Sequence, residues 1–183
     1  MGRVLDGISA PLRDFLEAQP VFFVATAPTG DDGHINCSPK GLDTFRVLDD
    51  HTVAYLDLTG SGIETVAHLR DNARITLMFC AFTGRPDIVR LYGRGRVVAA
   101  DDPGAAELLG RFPELPGTRS VIVVDVERVS SSCGYAVPRM TLEAPRDELL
   151  DWATKKDAPA LAAYWAEKNA RSIDGLPGLP GLP

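Results

Sequence analysis

The sequence predicts a mostly β fold of antiparallel strands joined as hairpins, with helices at the periphery. Three observations lead there. Seven segments have strand length and strand composition, and turn formers separate them. Helical periodicity is confined to short stretches before and between the strands and to the end of the chain. A regular strand–helix–strand alternation is missing, which argues against a doubly wound parallel sheet. Antiparallel strands in this number close into a barrel or a sandwich.

The elements follow in order. Residues 8–18, "ISAPLRDFLEA", read as a short amphipathic helix that Ser9 can cap, with Leu12, Phe15 and Leu16 on one face. "VFFVATA" (21–27) is apolar, β-branched and aromatic, and "PTGDDG" (28–33) is dense in turn formers. "HINCS" (34–38) is then the returning strand of a hairpin. "TFRVL" (44–48) and "TVAYLDL" (52–58) are strands around "DDH". Residues 61–71 switch to helical spacing through Ile63, Val66, Ala67 and Arg70. "RITLMFCAF" (74–82) and "DIVRLYGRGRVVAA" (87–100) return to strand character. A helix is expected over 101–112, with acids and a proline in its first turn. "SVIVVDVERVS" (120–130) is the seventh strand, and helices follow over 144–156 and 157–171. The tail "DGLPGLPGLP" (174–183) suits an extended arm or a frayed end. The whole reads as a single domain, 1–183, with a strand core over 8–135.

Composition bounds the function. With 45% hydrophobic and 24% charged residues the chain is globular. A net charge of −6 argues against nonspecific nucleic-acid binding, although it leaves room for a local basic pocket. No apolar run approaches the roughly 20 residues of a membrane span. The first 20 residues lack a signal core, because acids and a proline interrupt them. Cys37, Cys80 and Cys133 are widely spaced, with no ligand cluster for zinc. A reduced, cytoplasmic setting is the expectation.

Two short stretches carry chemistry. In "TGSGIETVAHL" (59–69), Ser61 and Glu64 have capping-box spacing. The same helix start would present unpaired N–H groups and a positive dipole end, a natural seat for phosphate, and Gly60 and Gly62 leave room for close approach. "NCSPKG" (36–41) adds a hydroxyl at Ser38 and a full positive charge at Lys40. It is either a surface turn with an exposed lysine or the second wall of an anion site. Arg90, Tyr92, Arg94 and Arg96 share one strand face, opposite Val89, Leu91, Gly93, Gly95 and Val97. Such a row is either a solvated face or the lining of a pocket or subunit interface. His34, His51 and His68 are scattered over a strand, a turn and a helix, and each reads as structural.

The segments "NCSPKGLDTFRV", "VAYLDLTGSGIETVAHLRDNARITLMFCAF" and "VRLYGRGRVV", in this order, resemble the pyridoxamine 5′-phosphate oxidase-like proteins, the PPOX-class with an FMN-binding split β-barrel. The resemblance spans roughly residues 10–135, and "SSCGYAVPRM" and the C-terminal helices share it. It implies a homodimer holding FMN at the subunit interface and acting on a small-molecule substrate. It implies cofactor contacts from Asn36, Ser38, Lys40, Ser61, Gly62 and Thr65, with Arg90 as a further candidate. Deazaflavin is an alternative, because relatives of this fold use it. The rival class is a non-catalytic flavin, deazaflavin or haem binding protein, such as a carrier, a sensor or a vestigial dimeric scaffold. Cys133, Gly134 and Tyr135 read as a turn after the last strand rather than a flavin edge.

The chain also departs from the oxidases that act on pyridoxamine phosphate. Those have an Arg-x-Val-Leu-Leu-Lys-type stretch in place of "NCSPKG" and a Ser-Arg-Lys-type phosphate clamp in place of "GIET". Ile63 is apolar where a polar residue is expected, and the Trp and Arg motif that holds that substrate has no clear counterpart. These departures argue against vitamin B6 oxidation and leave the substrate open.

Overall fold

The structure is a computed structural model and describes residues 2–179. The elements are β1 (Arg3–Leu5), α1 (Ala10–Glu17), β2 (Phe22–Thr26), β3 (Asn36–Lys40), β4 (Phe45–Val47), β5 (Thr52–Leu58), α2 (Glu64–Asn72), β6 (Arg74–Cys80), β7 (Ile88–Ala99), α3 (Ala105–Leu109), β8 (Thr118–Ser132), α4 (Glu148–Thr154) and α5 (Ala158–Lys168). All strands join one antiparallel sheet in the order β3-β2-β6-β7-β8-β5-β4, and β1 pairs with β8 outside that path. The sheet curls into a half-barrel of the split-barrel type. No helix among the described residues is long and apolar enough to cross a membrane.

The spine is β8. Along one side it pairs with β7 from Ile88 to Ala99. Along the other it pairs first with β5 and then, past Val126, with β1. Gly93 sits at the β7 bulge, where a Cβ would come within 2.1 Å of the Asp125 carbonyl oxygen, so the close approach of the two backbones requires glycine.

Strand β5 and the first half of β8 are buried on both faces, which is why Val53–Leu56 and Val121–Val124 run apolar without alternation. Val53, Tyr55, Ile122 and Val124 point into the main core. Ala54, Leu56, Val121 and Val123 point into a smaller one, which Phe112 and Ala105 close. In the main core Phe22, Phe45, Tyr55 and Phe79 pack with ring centroids 4.9–5.6 Å apart.

Several local expectations are corrected. There are eight strands rather than seven, because "RVL" near the N-terminus adds to the sheet. The helix expected over 101–112 is only Ala105–Leu109. The Asp102 carboxylate accepts from the Ala99 N–H at 3.1 Å, holding residues 99–102 in a turn instead. The helix expected over 144–156 begins at Glu148. Ser9 flanks α1 without a side-chain cap bond; its carbonyl accepts from Arg13 N–H, and a proline occupies the first turn.

The capping box does not form either. α2 starts after Ile63, and Glu64 Oε1 accepts from Ile173 N–H at 3.3 Å. The tail is no extended arm: Leu179 is buried in the main core. The last four residues of the expected tail, 180–183, lie outside the described residues. The arginine face of β7 does form, with Tyr92, Arg94 and Arg96 exposed and Val89, Leu91, Gly93 and Gly95 buried.

Candidate functional site

A cleft of about 1160 Å³ opens between β3 and the segment that leads into α2. Strand alternation places Asn36, Ser38 and Lys40 on the half-buried face of β3 and exposes Cys37 and Pro39 on the other. The opposite wall is the loop from Thr59 to Ile63 and the first turn of α2, with Ser61, Gly62 and Thr65. Asn36 Nδ2 donates to Thr65 Oγ1 at 3.1 Å, so the walls touch directly. Leu58, Leu115, Leu142, Pro145 and Leu149 give the cleft an apolar side.

Six of the seven residues singled out in the sequence therefore line one cleft. Arg90 does not; it lies on the outer face of β7, where Nη1 donates to Ser132 Oγ at 3.2 Å. Lys40 belongs to a strand rather than a turn, and 23% of its side chain remains accessible.

Two features equip this space for a polar ligand. Ser38 Oγ is buried and has no hydrogen-bond partner among the described residues. None of the N–H groups of residues 60–66 reaches a backbone carbonyl among the described residues, as expected before and within the first turn of a helix. Donors left free beside a positive charge suit an anion.

The charged floor was not anticipated. Arg119 and Asp57 form a bidentate pair, Nε to Oδ2 at 3.0 Å and Nη2 to Oδ1 at 3.1 Å, with both side chains almost fully buried. Arg119 Nη1 also donates to the Gly62 carbonyl at 3.1 Å and to Asn169 Oδ1 at 2.8 Å. Asn169 Nδ2 in turn donates to the Gly60 carbonyl at 3.1 Å. A sequence signal existed: Asp57 interrupts an apolar strand, and a buried carboxylate needs a cation. The register shift between Asp57 and Leu58 is where β5 leaves the ladder and turns into the loop.

The remaining acids of the lining are engaged. The Arg46 guanidinium holds the Asp43 carboxyl below the usual carboxylate range, chiefly through their hydrogen bonds. Glu17 Oε1 accepts from Val47 N–H at 2.9 Å. Lys40 Nζ stands 4.0 Å from Asp57 Oδ1, a carboxylate already satisfied by Arg119, so its charge is available to the cleft.

Among the described residues that line the cleft there is no histidine or cysteine. His34 is exposed and bonded to Asp174, and His68 is buried against Thr26. Tyr135 is exposed after the end of β8, where a turn was expected. No group of three His, Cys, Asp or Glu side chains among the described residues could hold a metal ion.

The chain belongs to the pyridoxamine 5′-phosphate oxidase family, whose model matches residues 8–133. It is 41% identical to the pyridoxamine 5′-phosphate oxidase family protein ustO of Aspergillus flavus, over 94% of this chain and 76% of that protein. Its fold is similar to that of HupZ from Group A Streptococcus, with a TM-score of 0.52 and 23% identity, over 67% of this chain and 91% of the other. It is also similar to the FAD binding protein from Mycobacterium smegmatis, with a TM-score of 0.51 and 20% identity, over 71% and 97% of the two chains. β1, α4, α5 and the C-terminal segment lie outside the family match.

Proposed function

We propose that this protein is a flavin-binding oxidoreductase that holds FMN in the cleft and acts on a small organic substrate. The observation that carries this reading is the facing of Ser38 and Lys40 on β3 with Ser61, Gly62 and Thr65 at the start of α2. Lys40, the unpartnered Ser38 hydroxyl and the free N–H groups of the loop fit a phosphate and the hydroxyls of a ribityl chain. Asn36 and Thr65 add polar contacts beside them. The apolar side of the cleft suits an aromatic ring system. The FAD-binding protein of similar fold supports a flavin in general, and Lys40 beside the free N–H groups of the loop offers a seat for one terminal phosphate.

Bound FMN would supply reversible electron transfer to and from the substrate. The lining has no histidine or cysteine, so this chain's own residues serve to bind and orient, and the redox chemistry falls to the cofactor. The missing clamp and the absent Trp and Arg motif argue for a substrate other than pyridoxamine phosphate. Deazaflavin is the alternative occupant of the same donors.

The working unit in this reading is a homodimer in the cytoplasm, with the cofactor near the subunit interface. Open sheet edges at β3 and β4, the exposed arginine face of β7 and the three free cysteines support it. Mass spectrometry of the ligand released from natively purified protein, together with FMN titration, tests the function. Released FMN, or tight uptake with flavin fluorescence quenching, is expected. A protein that takes up neither FMN nor deazaflavin overturns the reading.

A further inference from the structure

The C-terminal segment, which the family match does not reach, packs behind the Gly60–Gly62 loop that forms one wall of the cleft. α5 ends at Lys168, and the next residue, Asn169, is wholly buried. The chain then turns back on itself: Ser172 N–H donates to the Leu176 carbonyl at 2.9 Å, and Gly178 N–H to the Ala170 carbonyl at 2.8 Å.

Each part of this strap is anchored. Leu179 enters the main core. The Arg70 guanidinium of α2 bonds to the Gly178 carbonyl. A Cβ at Gly178 would lie 2.0 Å from the Asn169 carbonyl oxygen and 3.0 Å from Ile63, so the strap fits this closely only with glycine there. The Asp174 carboxylate accepts from His34 N–H at 2.8 Å and pairs with His34 Nδ1 at 2.7 Å, tying the strap to the turn before β3.

We propose that Asn169 is a positioning residue for the Gly60–Gly62 loop, held in place by this strap, and that it sets the preference for a phosphate-bearing ligand. This rests on the flavin reading above. In a trans peptide the C=O and the following N–H point in opposite directions. Asn169 draws the Gly60 carbonyl inward directly. It draws the Gly62 carbonyl inward through Arg119, whose Nη1 it shares. The N–H groups of Ser61 and Ile63 are thereby turned away from the buried pair and offered to an anion. Nothing else in the strap donates a hydrogen bond to those two carbonyls among the described residues. Asn169 touches no bound ligand in this scheme; it acts on the loop alone.

The test is titration of the full-length protein with FMN and with riboflavin, which differ only in the phosphate. Wild type is expected to favour FMN. Asn169→Ala should lose about tenfold in FMN affinity, the scale of one well-made hydrogen bond, while riboflavin affinity stays within about twofold. Asn169→Asp keeps an acceptor for Arg119 but sets an oxygen against the Gly60 carbonyl, and it should show the same split. Equal weakening of both ligands, or an unchanged FMN-to-riboflavin ratio, overturns the assignment, as does failure of both variants to fold. A wild type that favours FMN while the variants keep its ratio defeats this inference alone. A wild type that binds neither ligand defeats the flavin reading with it.

Discussion

Asn36 and Thr65 join the two walls of the cleft, the Nδ2 of one donating to the Oγ1 of the other at 3.1 Å. One residue is the first of β3 and the other lies in the first turn of α2. The contact ties a strand at the edge of the sheet to a helix packed over its interior, and it makes the two motifs a single site.

Thr65→Val removes that acceptor and keeps the shape of the side chain. It should cost about 0.5–1.5 kcal/mol in folding stability, the net value of one hydrogen bond. Urea unfolding followed by circular dichroism measures it. A larger loss would mean that Thr65 packs the helix against the sheet rather than bridging the walls.

Lys40→Ala should weaken FMN by about 1.5–3 kcal/mol, as for a charge-assisted hydrogen bond, or roughly tenfold to hundredfold. Stability should change little, because Asp57 keeps its bidentate partner in Arg119. Fluorescence titration gives the affinity; an unaltered Kd would return Lys40 to the status of a surface cation.

Ser61→Asp tests whether an anion sits at the loop. Ser61 is exposed and is not the cap of α2, so the substitution should leave stability within about 0.5 kcal/mol. A carboxylate there would repel a phosphate at the loop. The variant should fold as wild type and lose FMN, and adding Lys40→Ala should then cost less than it does alone, since both act on one phosphate. Full FMN affinity in Ser61→Asp would separate the two walls into unrelated turns.

His68 should make stability depend on pH. Its ring is buried, Nδ1 lies 2.9 Å from Thr26 Oγ1, and Nε2 has no partner among the described residues. Burial holds its pKa below the ordinary value, against the opposing pull of the Asp174, Glu64 and Asp71 carboxylates. The unfolded chain takes the proton first, so this contribution is complete well above about pH 6.5 and declines as pH falls from there towards the folded value. His68→Gln should flatten that slope. Urea midpoints at about pH 7.5 and pH 5.5 decide it; equal slopes for the two proteins would place the dependence elsewhere.

The assembly prediction is a homodimer that buries more than about 2,000 Å². α5 contributes no fully buried residue within one chain, and its Tyr164 packs on Trp152 of α4 with ring centroids 4.9 Å apart, half-covered. Light scattering at micromolar concentration should give twice the 19.7 kDa chain mass, and a stable monomer would rule this out.

Much of the sheet and both cleft walls were legible in the sequence, for a local reason. β-branched and aromatic runs bounded by turn formers mark strands, and small residues before a helical period mark a helix start. What stayed hidden depends on distant partners. Asn169 reaches Gly60 across 109 positions, and no local pattern reports that. The Gly-Leu-Pro tail has the composition of an arm, yet Gly178 and Leu179 fit against Ile63 and the core. The capping-box spacing misled because Ile63, with φ of −135°, becomes the cap and frees Glu64 for Ile173.

The pairing of β8 also governs when the molecule can form. β1 at Arg3–Leu5 finds its partner at Val129–Ser131, and β5 and β7 both lean on β8. During synthesis the first strand therefore waits, unpaired, for nearly the whole sheet to emerge. Until residues 118–132 are made, β5 and β7 each expose an open apolar edge, a state prone to strand-to-strand association. Closure is thus a late and long-range event, of the kind that makes β proteins slow to fold. Translation that stalls before Thr118 would yield chains that aggregate rather than a smaller folded domain.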